Sequence, residues 1–125
     1  MELVSITSQV PESEPKLRIY PNYAVLNASA VSLLDLKHGD YVQFACPKID
    51  RGSGRPELYV RKTTRILGSV CVRARGKTMI LGSRKLAASL IERLNGKGCY
   101  RVCPEDTIDD KDGKFFNVFF RNYGN

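Results

Sequence analysis

The chain has 125 residues, 42% of them hydrophobic, and a formal net charge of +7. This length fits one domain with a sizeable core, whereas either half alone would be marginal. No apolar run approaches the ~18 residues of a membrane span, and the N-terminus MELVSITSQVPESEPK has neither the basic start nor the apolar stretch of a signal peptide. The expectation is a cytoplasmic chain with no membrane partner.

The elements follow in order. Residues 1–15 read as a polar, proline-marked lead-in, with Met1–Thr7 a short strand or a loose terminus. Lys16–Tyr20 alternates, with Leu17 and Ile19 on one face and Arg18 and Tyr20 on the other. Pro21-Asn22 reads as a turn and Tyr23–Leu26 as a short strand. Asn27 suits a helix N-cap, because its side-chain oxygen can accept an orphan N–H. The helix is predicted over about 28–36, with Ala30, Val31 and Leu34 inward, Lys37 and His38 at its negative end and Gly39 as the stop. Tyr41–Cys46 alternates again, Lys48–Arg55 reads as a loop, and Glu57–Lys62 returns as a strand burying Leu58 and Val60.

The same order then recurs. Gly68–Arg73 is a predicted strand, Arg75-Gly76-Lys77 a turn and Thr78–Leu81 a strand. Ser83 caps a helix over about 84–94, with Leu86, Leu90, Ile91 and Leu94 inward, and the segment 95–98 stops it. Cys99–Cys103 is a strand whose register stays open: either Tyr100 and Val102 or the cysteines face inward. Pro104–Gly113 reads as an acidic loop and Phe115–Phe120 as the last strand. Self-similarity of this kind decides a fold, so the expected class is α+β, mostly β. A β-β-α-β-β unit, over about 16–64 and again over 68–122, closes one pseudo-twofold β-barrel with two short helices.

The charge is lopsided. Residues 1–64 carry eight Lys/Arg against seven Asp/Glu, and residues 65–125 carry twelve against six. Between Glu57 and Glu92 there is no acid, but there are Arg61, Lys62, Arg65, Arg73, Arg75, Lys77, Arg84 and Lys85. A basic stripe of this kind attracts polyanions, nucleic-acid phosphates above all; the bland counterpart is a solvated surface that keeps the chain soluble.

Other chemistry finds little support. Cys46, Cys71, Cys99 and Cys103 include no CxxC pair, and His38 is the single histidine. A zinc site would need nearly all of these gathered from separate strands, so neither metal nor cofactor is expected, and the cysteines read as small apolar residues. His38 has no evident catalytic partner. The Asp106–Gly113 run lacks the spacing and terminal Glu of an EF-hand, and Gly52-Ser53-Gly54 lacks the helix that phosphate loops feed. No enzyme is expected.

The segment Leu33-Leu34-Asp35-Leu36-Lys37-His38-Gly39-Asp40-Tyr41-Val42-Gln43-Phe44, followed by Leu58-Tyr59-Val60, resembles the SpoVT/AbrB swapped-hairpin family of bacterial transcription regulators and antitoxins. The likeness covers residues 16–62 well and 69–121 loosely. The second copy lacks Gly-Asp, having Gly96-Lys97 or Gly98-Cys99 there, and the usual Ile-Pro before the first helix is replaced by Leu26-Asn27. Cradle-loop and double-psi barrels share the duplicated logic. The family usually dimerises into one barrel, so two copies in one chain imply a monomeric pseudo-dimer, or a homodimer of such chains. The resemblance implies duplex-DNA binding through basic hairpin residues. Carried over by position, these are Lys16, Arg18, Asn22 and Tyr23 in the first copy and Arg73, Arg75 and Lys77 in the second. Arg84 and Lys85 could add phosphate contacts at the start of the second helix. The alternative reading is a protein-interaction or structural module, antitoxin-like or accessory to a mobile element, motivated by the tail Phe115-Phe116-Asn117-Val118-Phe119-Phe120.

Overall fold

The computed structural model describes residues 14–47, 56–94, 96–111 and 113–119. The lead-in through residue 13, the loop 48–55, Asn95, Asp112 and Phe120 lie outside the described residues. The elements are β1 (Lys16–Ile19), β2 (Ala24–Leu26), α1 (Ala28–Leu34), β3 (Tyr41–Ala45), β4 (Tyr59–Thr63), β5 (Ser69–Cys71), β6 (Arg73–Arg75), β7 (Thr78–Leu81), α2 (Arg84–Leu94), β8 (Gly98–Asp110) and β9 (Gly113–Val118).

The strands form one antiparallel sheet in the order β5-β3-β4-β9-β8-β1-β2-β7-β6. Its two outermost strands are consecutive in the chain and are separated by Val72 alone. The Val72 N–H donates to the Asp40 carbonyl at 2.8 Å, and the Gly39 N–H donates to the Val72 carbonyl at 3.0 Å. The result is a nearly closed, barrel-like sheet. Inward positions from residue 17 to residue 118 join one buried cluster, including Leu17, Leu26, Val42 and Val60 from the earlier strands and Leu81, Tyr100, Val102 and Val118 from the later ones.

Local chemistry explains the helix starts. The Asn27 Oδ1 accepts from the Ala30 N–H and also from the Lys16 N–H, both at 2.9 Å, while its Nδ2 donates to the Glu14 carbonyl. One side chain therefore caps α1 and ties the entrance of β1 to it. The Ser83 Oγ accepts from the Leu86 N–H at 3.1 Å and starts α2. Tyr100 closes the other end of α2: its hydroxyl donates to the Gly96 carbonyl at 2.6 Å. An Asn27→Ala variant is expected to lose about 2 kcal/mol, from the missing cap and the orphaned Lys16 N–H. Its urea midpoint against the wild type measures this.

Four expectations about local structure are corrected. The first helix ends at Leu34, two residues early, because Asp35 adopts the left-handed region (φ 53) and its N–H turns back to Ser32 and Val31. An aspartate tolerates this conformation better than most side chains. His38 is thus not in a last helical turn. Its Nδ1 instead accepts from the Ala74 N–H on the edge strand β6, at 3.0 Å. The strand expected over 68–73 breaks at Val72 into two short strands with different partners, β3 and β7. The expected acidic loop after Pro104 is largely strand: β8 runs to Asp110 and pairs with β9 beyond an irregularity between Cys103 and Thr107. The open register of 99–103 is settled by packing on both faces, since Tyr100 and Val102 enter the core while Cys99 and Cys103 are also nearly enclosed. Cys46 and Cys71 are exposed, so only two of the four cysteines are the buried apolar residues expected.

Asp40 fixes the turn before β3. Its carboxylate accepts from the Lys37 N–H at 2.8 Å and lies 3.5 Å from the Lys62 ammonium. The Lys37 hydrogen bond chiefly, with the Lys62 charge adding, holds the Asp40 carboxyl below its ordinary value. A depressed carboxyl adds stability that is present above the unfolded-chain value and disappears as pH falls through the folded value. Asp40→Asn is therefore expected to narrow the stability difference between neutral and strongly acidic solution. Urea titrations of both proteins across that range check it.

Candidate nucleic-acid interface

The face opposite the core on strands β1, β2, β7 and β6 is set by alternation. Leu17, Ile19, Ala24, Leu26, Val72, Met79 and Leu81 are buried. The neighbours of these residues therefore point outward. The registers place Arg18 beside Val25, Val25 beside Ile80, and Ile80 beside Arg73. Two arginines thus bracket a strip of two half-buried apolar side chains. Three strand spacings separate them, about 14 Å at ~4.8 Å each.

Lys16 extends this face along β1, and Arg75 extends it along β6, where it and Arg73 are exposed. Lys77 lies in the turn that joins β6 to β7, and the Thr78 hydroxyl donates to the Arg75 carbonyl at 2.8 Å across that turn. Gly76 takes φ 61 there, which is why a side chain is disfavoured at the tip. At the β1–β2 tip, Tyr20 and Tyr23 stack with ring centroids 4.7 Å apart, and the Tyr20 N–H donates to the Tyr23 carbonyl. Sequence reasoning named Tyr23 but not Tyr20; the Arg18–Tyr20 alternation carried the signal.

Arg73 has a further neighbour. A Cβ on Gly82 would lie 3.1 Å from its Nη2, so the guanidinium rests against Gly82, just before the Ser83 cap. This brings Arg73 toward the start of α2, where Arg84 and Lys85 are exposed. A helix start carries partial positive charge and unpaired N–H groups, so the whole corner favours an anion. Gly82→Ala is expected to displace the flexible end of Arg73 with little change in urea midpoint. It should also weaken polyanion binding a few-fold, as measured by heparin elution beside the wild type.

Three of the sequence-predicted basic residues lie elsewhere. Arg61 is only 6% exposed on β4. Its Nε donates to the Gln43 Oε1 at 2.9 Å and its guanidinium lies 4.6 Å over the Phe115 ring. It is not placed to touch a phosphate on the hairpin face. The Lys62 ammonium donates to the Asp35 carbonyl at 2.9 Å and pairs with Asp40. Arg65 is exposed on the β4–β5 connection. The acids segregate as well. Glu105, Asp106, Asp109 and Asp110 all lie on β8, and Glu105 pairs with Arg101 at 2.6 Å.

Comparison with known protein families, characterised proteins and solved structures returns no match. Among the described residues no three metal-ligating side chains gather, and no helix is long and apolar enough to cross a membrane. Burial pushes the Cys103 thiol up, which works against a reactive thiolate there. The fold and its surface together define a small barrel-like β protein with an acid-free basic hairpin face.

Proposed function

We propose that this chain is a DNA-binding transcription regulator of the swapped-hairpin, AbrB-like type, with two tandem copies of the unit in one chain. The pairing pattern supports the duplication. Exchanging β1 with β5 plus β6, β2 with β7, β3 with β8 and β4 with β9 maps the β1–β2 pairing onto β6–β7, β1–β8 onto β3–β5, and β3–β4 onto β8–β9. The β2–β7 and β4–β9 pairings map onto themselves. The registers agree, because Arg18 opposite Val25 becomes Arg73 opposite Ile80.

The observation that carries the DNA reading is the exposed set Arg73, Arg75, Lys77, Arg84 and Lys85, with Arg18 and Lys16 across the same face and no acid between Glu57 and Glu92. The ~14 Å between the strands of Arg18 and Arg73 is close to the ~12 Å width of a major groove. Two arginines at that span can meet the two phosphate backbones bordering one groove. Such contacts position a protein and leave sequence choice to other side chains. Arg61 is not in this contact set, and neither Lys62 nor Arg65 shares its face. The test is the affinity for random duplex DNA as a function of salt. The reading requires a steep linear fall of log affinity with log salt. A flat response together with no retention on heparin would overturn it.

A second reading, an antitoxin-like interaction module, draws on one observation. Leu67 is 99% exposed and Ile66 41%. The turn that presents them is closed by the Ser69 N–H donating to the Ile66 carbonyl at 3.1 Å. The phenylalanine tail supports this reading less, since Phe115 is enclosed beside Arg61 and Phe116 packs on the core. Light scattering on Leu67→Ser and wild type separates the two readings: a self-association lost in the variant favours the module.

A further inference from the structure

We propose that the corner between β4 and β5 is a binding site for a small organic acid, with Arg61 as the residue that takes its carboxylate or phosphate group. This inference is independent of the DNA reading and uses a different part of the surface.

Arg61 is the one buried charged residue among those described. Its orientation is fixed from two sides, by Gln43 at Nε and by the Phe115 ring beneath the guanidinium. Among the described residues its Nη1 is nonetheless buried with no hydrogen-bond partner. A buried cationic donor left without an acceptor is costly, and such a group calls for a specific explanation. An arginine held rigidly with one donor nitrogen unspent is prepared for an anion, since its fork matches carboxylate and phosphate oxygens.

The surroundings fit that ligand. Arg61 lines a hollow of about 540 Å³ together with Lys62, Thr63, Thr64 and Ile66. That volume falls within the range of small-molecule sites, roughly 300–1,000 Å³. The lining offers the two threonine hydroxyls as further donors, the Lys62 charge near the rim and no acidic side chain. Ile66 supplies an apolar wall for the body of the ligand. Because Nη1 is enclosed, an anion reaches it when a rim side chain turns aside. Lys62 is held by the Asp35 carbonyl and by Asp40, so the opening falls to the exposed Thr64 and Ile66. An anion seated there would meet Arg61 with little competing water, where a charge-assisted hydrogen bond is strongest.

The experiment uses the full chain and two probes, inorganic phosphate and benzoate, each titrated at constant ionic strength with chloride as the balancing salt. The readout is the arginine Nε–Hε spectrum by nitrogen-15 NMR, which reports each guanidinium separately. The proposal expects a saturable shift of the Arg61 signal with at least one probe. That shift should persist in the Arg73→Ala/Arg75→Ala/Lys77→Ala variant. In Arg61→Met the affinity for that probe, read from the backbone amide shifts of Thr63 and Thr64, should weaken about tenfold or more, the loss expected for a hydrogen bond to a charged group. Should Arg61→Met fail to fold, Thr63→Val with Thr64→Val replaces it, with a few-fold weakening expected. Phosphate alone, benzoate alone or both identify the head group the site accepts. If Arg61 does not respond to either probe, or if only Arg73, Arg75 and Arg84 respond, the site does not exist.

Discussion

Replacing Arg73, Arg75 and Lys77 together by alanine is expected to remove most duplex-DNA binding while leaving the fold intact. All three are exposed, and none is buried in the core. The triple variant should therefore keep its urea midpoint within about 0.5 kcal/mol, the ordinary range for surface changes. The effect on binding is large because each phosphate contact releases counterions. Three lost contacts lower the slope of log affinity against log salt by up to about 3. At moderate salt the affinity falls by about a hundredfold or more if all three touch phosphate. Heparin elution and duplex-DNA titration at several salt concentrations measure both quantities. The matched change of Arg61, Lys62 and Arg65 is expected to reduce the slope far less. Arg61 is enclosed and Lys62 is engaged by Asp35 and Asp40, while Arg65 is exposed on the β4–β5 connection.

The largest effects on stability are expected at Leu26 and Leu81. Both have no exposed surface, and they lie on the adjacent strands β2 and β7, where Leu26 is opposite Met79 and Ala24 is opposite Leu81. Each Leu→Ala change is expected to cost about 2–5 kcal/mol. The two residues point into one cluster from opposite halves of the sequence. Residues that share a cavity do not act independently, so the double variant should differ from the sum of the singles by about 0.5 kcal/mol or more. Urea unfolding of the four proteins closes this cycle. Two separate cores would give additive costs instead.

Much of this was legible because it is local. Asn27 and Ser83 announce helix starts through side-chain chemistry, and the alternation through Lys16–Tyr20 and Tyr41–Phe44 shows which face is buried. The acid-free interval is plain in the sequence, and its exposed parts are the β4–β5 connection, the β6–β7 hairpin and the start of α2. What escaped is non-local. Alternation correctly sends Arg61 away from Val60, but outward is not the same as exposed. Its enclosure depends on Phe115, more than fifty positions away. Val72 breaks a strand because the residues before and after it pair with different partners, which no propensity scale records. The acids and proline after Cys103 argue for a loop, and pairing with β9 overrides them. The same holds for Asn27, whose cap was readable while its bonds to Lys16 and Glu14 were not.

The central claim is that the outer face of β1, β2, β7 and β6 meets duplex DNA. Amide NMR shifts of the full chain on addition of a short duplex test it most directly. The account predicts perturbations concentrated at Lys16, Arg18, Arg73–Lys77, Arg84 and Lys85, with β3, β4 and β9 quiet. Perturbations centred on β3, β4 and β9, or none at low salt, would contradict it.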